Sequence, residues 1–193
     1  MTLRELQRCV RAELGQRHRY AHTLRVARLA ASLARAHGAD AGRALQAGLL
    51  HDVARLWPGE ALLAECARRG LPVDDFERAN PVVLHARVGA EIARERYGVR
   101  DEAVLEAIRA HTLGGPALSD VAKVVFLADA LEPGRDYPAR ASLLRAARAG
   151  LDEGMRVVLG STVEHLRERR LDVAPQTQSA IAYYDKERTL CRT

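Results

Sequence analysis

The stretch from Ala47 to Arg55, AGLLHDVAR, narrows the fold more than any other part of the chain. An apolar run carries His51 and Asp52 side by side, and Val53 and Ala54 then resume the apolar character. An ionised carboxylate is costly to bury unless it is paired or coordinates a metal. Neighbouring helical residues point about 100° apart, so both groups can face inward only on a largely enclosed helix. Two arrangements satisfy these demands: a metal centre, or a buried His–Asp hydrogen-bonded pair with no metal.

The surrounding sequence supplies helices. Thr2 and Glu5 have capping-box spacing, predicting a first helix that ends near Gly15. A second is expected from Gln16 to His37. His22 lies on its apolar face with Val26, Leu29 and Leu33 at helical spacing. Asp40 is the expected N-cap of a third helix, with His51 and Asp52 near its C-terminal end. Pro58 and Gly70 bracket a fourth, and 71–79 reads as a connector with one short helical turn. Asn80-Pro81 reads as an N-cap and N1 proline opening a helix to Tyr97, with Val82, His85, Gly89 and Ile92 on one stripe. Asp101 starts a helix with Val104, Ile108 and His111 on one face, and 112–116 is a Gly-rich break. The apolar segment 119–131 holds Asp129 well inside it. Further helices are expected over 139–149, 151–170 and 176–188, with 171–175 as a linker.

No period-2 strand pattern, internal repeat or low-complexity tract is visible. The reading is all-α: a single helical bundle over residues 17–170, preceded by a helix in 1–16 and followed by a linker and short helix in 171–193. The low aromatic content of 4% agrees with helices over strands. No window has the roughly 18 apolar residues needed to span a bilayer. The first residues lack the apolar core of a signal peptide, so a cytoplasmic protein is expected. Cys9, Cys66 and Cys191 have no metal-site spacing and read as reduced structural thiols. A net charge of +5 favours an anionic small-molecule partner. The arginines are dispersed among acids, which argues against nucleic acid as a partner.

His22, His51 with Asp52, His85, His111 and Asp129 thus all stand on apolar faces or at inward helix ends. His18, His37 and His165 lie among charged residues and read as solvated. Imidazoles and carboxylates without thiolate suit iron, manganese or zinc. Four His and two Asp are too many for one tetrahedral ion and about right for two ions sharing a carboxylate, an arrangement that recurs in phosphoryl hydrolysis.

In this order the residues resemble the HD-domain metal-dependent phosphohydrolases, and His85 and His111 resemble their binuclear branch. The local text is closest to the YqeK-like symmetrical diadenosine tetraphosphate hydrolases. The similar segments are RYAH at 19–22, AGLLHD at 47–52, HARVGA at 85–90, HTLG at 111–114 and LADALEPGR at 127–135. The resemblance implies an HD-domain bundle with a di-iron centre in its core, with manganese or zinc as alternative ions. His22, His51, Asp52 and Asp129 would hold one metal. Asp52, His85 and His111 would hold the other, Asp52 bridging. A hydroxide bridging the metals would attack an inner phosphate of diadenosine tetraphosphate and release two ADP. Arg55, where the family usually has Lys, and Arg135 would neutralise the polyphosphate, with Thr112 and Gly114 close to it. Tyr20, Tyr97 and Tyr137 are the aromatic candidates for stacking on adenine. The alternatives are another HD-type enzyme (a 5′-nucleotidase or cyclic-nucleotide phosphodiesterase) or a nucleotide-binding module without turnover. Oligomeric state is left open by the sequence.

Overall fold

The computed structural model describes residues 1–190, so Cys191 lies outside the described residues. Its elements are α1 (Leu3–Leu14), α2 (Arg17–Ala36), α3 (Ala41–Leu50), α4 (Gly59–Arg69), α5 (Asp75–Ala79), a 3-10 turn (Pro81–Leu84), α6 (His85–Arg96), α7 (Glu102–Ala110), α8 (Asp120–Leu131), α9 (Arg140–Ala149), α10 (Leu151–Glu168) and α11 (Pro175–Leu190). No strand occurs among the described residues, and none of the helices is long and apolar enough to cross a membrane.

Helix starts follow the local chemistry. Thr2 and Glu5 form a reciprocal capping box, and Asp40, Asp101 and Ser119 cap α3, α7 and α8 through their side-chain oxygens. Each such cap contributes about 1 kcal/mol. α8 is apolar almost all round, with Val121, Val124, Val125, Phe126, Leu127 and Ala128 buried. A helix of that kind belongs at the centre of a bundle, and α8 packs against α2, α3, α7 and α10. α2 and α3 approach very closely at Gly48, where an added Cβ would stand 2.7 Å from the Ala27 Cα. α1 joins the same core through Leu6, Val10 and Leu14, and α11 through Ala180 and Tyr184. Val53, Leu62, Cys66, Leu84, Val88 and Ile92 form a second apolar cluster around α4 and α6.

Local details differ from the sequence reading. His51 and Asp52 lie just past the end of α3, His51 being its C-cap. The chain there tightens into turns closed by i→i+3 bonds, Val53 to Leu50 and Arg55 to Asp52. Asn80 does not cap; its amide donates back to the Phe76 carbonyl, and Pro81 opens a 3-10 turn instead of an α-helix. The tighter winding breaks the α-helical stripe and leaves Val82 exposed. Cys9 is exposed, and Cys66 is the one buried thiol among the described residues. His37 is half-buried, with Nε2 2.9 Å from the Ala147 carbonyl.

Candidate metal centre

His51 and His111 are the C-cap residues of α3 and α7, His85 is the first residue of α6, and His22 lies one turn into α2. Helix C-termini leave carbonyls without intrahelical partners. His51, His85 and His111 each use one from three residues back, their Nδ1 atoms lying 2.7, 2.5 and 2.7 Å from the carbonyls of Gly48, Val82 and Ile108. A carbonyl only accepts, so each Nδ1 carries the hydrogen and each Nε2 presents a lone pair. His22 is oriented the same way, its Nδ1 donating to Glu132 Oε1 at 3.1 Å.

The Nε2 atoms converge on Asp52. Its Oδ2 lies 3.9 Å from His22 Nε2 and 3.6 Å from His51 Nε2. Its Oδ1 lies 3.3 Å from His85 Nε2 and 3.7 Å from His111 Nε2. Asp129 Oδ1 completes the first set, 3.1 Å from His22 Nε2 and 4.0 Å from His51 Nε2. One carboxylate therefore has an oxygen toward each of two donor sets.

Three observations fit a cation at these positions. Two donors each about 2.1 Å from a common ion stand roughly 3 to 4 Å apart, the range just described. His51 Nε2 is buried with no hydrogen-bond partner. The Nε2 atoms of His85 and His111 face each other at 3.0 Å; with both Nδ1 atoms protonated these are two opposed lone pairs, which a cation between them would relieve. Thr112 Oγ1, 3.3 and 3.1 Å from the same nitrogens, can donate to one of them. The C-terminal ends of α3 and α7 add partial negative charge at the site, which also favours cations.

The electrostatics agree. Burial pushes the His51 imidazolium down to about 4, keeping the ring neutral, and burial also lowers His85. For Asp52 burial acts upward, but His51, His111 and His85 outweigh it and hold the carboxyl far below its usual range. Asp129 is depressed in the same way, with His22 and His51 outweighing burial. His22 and His111 are raised, because Asp129 and Asp52 overcome burial. The cluster is thus rich in ionised carboxylate and seeks positive charge, which a metal can supply in place of protons.

Two cavities adjoin the cluster. A polar one of about 310 Å³ is lined by Arg19, Arg55 and Arg135 beside Asp52, His85 and Thr112. A larger, mostly apolar one of about 470 Å³ is lined by Phe126, Tyr137, Leu143 and Val158, with Ser161 and His165 among its polar groups. His111, Thr112, Asp129 and Arg135 border both. Arg135 is exposed and donates to Asp129 Oδ1 at 2.8 Å.

The structure thus brings His22, His51, Asp52, His85, His111, Asp129, Arg55, Thr112 and Arg135 together. Gly114 stands apart, packed under Leu159, Phe126 and Ala180, with its amide donating to Ala110. Of the tyrosines, Tyr137 reaches the larger cavity, whereas Tyr20 and Tyr97 pack on the core. Sequence reasoning missed Arg19 and Glu132. Arg19 lies three residues before His22, on the same side of α2. Glu132 is almost fully buried at the end of α8. Burial opposes its ionisation, but Arg25, the Gly134 amide and His22 hold it down at about 2. His165 is exposed, as expected, yet borders the larger cavity.

Comparisons with known proteins agree with this geometry. The HD domain family matches residues 19–134. A symmetrical bis(5'-nucleosyl)-tetraphosphatase of Bacillus subtilis is 34% identical over 92% of this chain and 94% of its own length. Its namesake in Halalkalibacterium halodurans is 35% identical over 83% of this chain and 85% of its own. A solved structure from Clostridium acetobutylicum, described as an HD superfamily hydrolase involved in NAD metabolism, superimposes with a TM-score of 0.93 at 30% identity, covering 97% of this chain and 98% of that one. With its all-helical fold, its His/Asp cluster and these relatives, the chain belongs to the HD domain family of metal-dependent hydrolases.

Proposed function

We propose that the protein hydrolyses dinucleoside tetraphosphates, diadenosine tetraphosphate above all, at the central anhydride to give two nucleoside diphosphates. The reading rests on one observation: the Asp52 carboxylate, one oxygen toward each donor set, opens onto an arginine-lined polar cavity that continues into an apolar one. The names of the bacterial relatives support the substrate class.

His22, His51, Asp129 and Asp52 Oδ2 would hold one divalent ion. His85, His111 and Asp52 Oδ1 would hold a second. Iron suits this nitrogen and oxygen set, as do manganese and zinc. When bound, such a pair supplies Lewis acidity and makes water a nucleophile near neutral pH.

The protein's own groups do the rest. Arg19, Arg55 and Arg135 surround the polar cavity and would neutralise the phosphate oxygens, most strongly where charge builds in the transition state. Arg135 also holds Asp129 through Nη2 and the Asp129 carbonyl through Nε, so phosphate binding and ligand orientation meet in one side chain. Thr112 Oγ1 can donate to a phosphate oxygen. The apolar cavity would take one nucleoside against Phe126 and Tyr137, with Ser161 and His165 available to base or ribose. A substrate seated by one nucleoside in the apolar cavity would run its phosphate chain toward the arginines and Asp52 of the polar one. The diphosphate leaving group needs little protonation.

The test is product analysis of diadenosine tetraphosphate digested by metal-loaded protein, with metal content measured on the same sample. ADP as sole product agrees with the proposal. ATP with AMP, or turnover of AMP or cyclic dinucleotides in its place, overturns it.

A further inference from the structure

The four histidines are not held alike. His51, His85 and His111 rest on neutral backbone carbonyls, whereas His22 Nδ1 faces a carboxylate, Glu132, that is 2% exposed. Glu132 is itself fixed from three directions. Arg25 Nε donates to Oε2 at 2.5 Å and Arg25 Nη2 to Oε1 at 3.2 Å. The Gly134 amide donates to Oε2 at 2.5 Å. Glu132 borders neither cavity, so substrate contact does not account for a carboxylate buried there.

A carboxylate behind a ligating imidazole fixes its orientation and makes its far nitrogen a stronger donor. Only the His22 side has this support. That side also has two carboxylates facing inward, Asp52 Oδ2 and Asp129 Oδ1, against the single Asp52 Oδ1 on the side of His85 and His111. We infer that the two cation positions are unequal: Glu132, clamped by Arg25, is a positioning residue that makes the His22–His51–Asp129 position the tight one and leaves the His85–His111 position exchangeable. This rests on the two-ion reading above. Activity would then follow free metal concentration through filling of the second position, while the first stays loaded.

The experiment is titration of chelator-stripped, full-length protein with Mn2+, following free aqueous Mn2+ by its electron paramagnetic resonance signal. Two classes of one ion each are expected, the first at least tenfold tighter. His111→Ala should remove the weak class and keep the tight one. Glu132→Gln should weaken the tight class by about 10- to 100-fold, the usual cost of losing an outer partner of a metal-bound histidine, and leave the weak class unchanged. Arg25→Lys, which keeps the charge but loses the fork, should weaken the same class less, and provides the comparison if Glu132→Gln does not fold. Two equal sites, or equal weakening of both classes by Glu132→Gln and Arg25→Lys, overturn the inference while the two-ion reading stands. A stoichiometry of one overturns the two-ion reading itself.

Discussion

Gly48→Ala tests whether the close contact of α2 and α3 limits both stability and the metal centre. In most helices this substitution helps, since glycine in a helix interior costs roughly 0.5–1 kcal/mol relative to alanine. At Gly48 the new methyl would stand 2.7 Å from the Ala27 Cα and 3.1 Å from its nitrogen, and a backbone cannot move aside as a flexible side chain does. Overpacking of this kind costs typically 1–3 kcal/mol. The net effect is a loss of about 0.5–2 kcal/mol, or a melting temperature lower by a few degrees for a chain of this size. Gly160→Ala is the control. Gly160 lies inside α10 with nothing within 4 Å of the added methyl, so only the propensity gain remains and the melting temperature should rise. The Gly48 carbonyl also holds His51 Nδ1, and α2 carries His22. Separating the two helices should therefore weaken metal binding as well as stability. Paired thermal melts of the stripped proteins, followed by Mn2+ titration, read both effects. If Gly48→Ala melts above the parent, as Gly160→Ala should, the close-contact argument is wrong.

Four further outcomes are expected. His51→Ala or Asp129→Ala should abolish metal loading and hydrolysis together while far-ultraviolet circular dichroism is unchanged; activity in a metal-free variant would refute the scheme. Arg55→Lys keeps the charge but loses the planar fork, and should raise KM severalfold with a smaller change in kcat if Arg55 holds phosphate in the ground state. Ser161→Trp, filling the larger cavity from α10, should raise KM for the dinucleotide at unchanged metal content; an unchanged KM would place the nucleoside elsewhere. Glu132 is depressed from an ordinary 4.5 to about 2, so its ionisation stabilises the fold above pH 4.5, and that contribution fades as pH falls toward 2. Acid melts of stripped protein should lose stability over that window, less steeply in Glu132→Gln.

The helical series was legible because its punctuation is local. Thr2, Asp40, Asp101 and Ser119 cap the helices they precede, and Gly15 and Gly70 take the left-handed conformation that ends α1 and α4. The inward positions of His22, His51, His85, His111 and Asp129 were legible from helical spacing, because an apolar face must turn to the core. Their division into two sets around Asp52 was legible only through the family resemblance, since the distances themselves depend on how five helices pack. The His22–Glu132 contact joins residues 110 positions apart, and nothing near either one announces it. Gly114 misled for the opposite reason: a glycine-rich turn suggests close approach to a ligand, but here it lets α10 and α11 close over the loop. The 3-10 turn at Pro81 was hidden because Asn-Pro reads as the start of an ordinary α-helix, while the Asn80 side chain is engaged backward.

The opposed nitrogens of His85 and His111 have a consequence for how the molecule matures. Docking α6 against α7 without an ion brings two electron-rich atoms together, so closing this contact should cost more in the empty chain than in the loaded one. Once an ion arrives, the same contact turns from an obstacle into a latch. A newly made chain starved of metal should therefore linger ajar at this seam, and loading would serve as its final inspection before release into service.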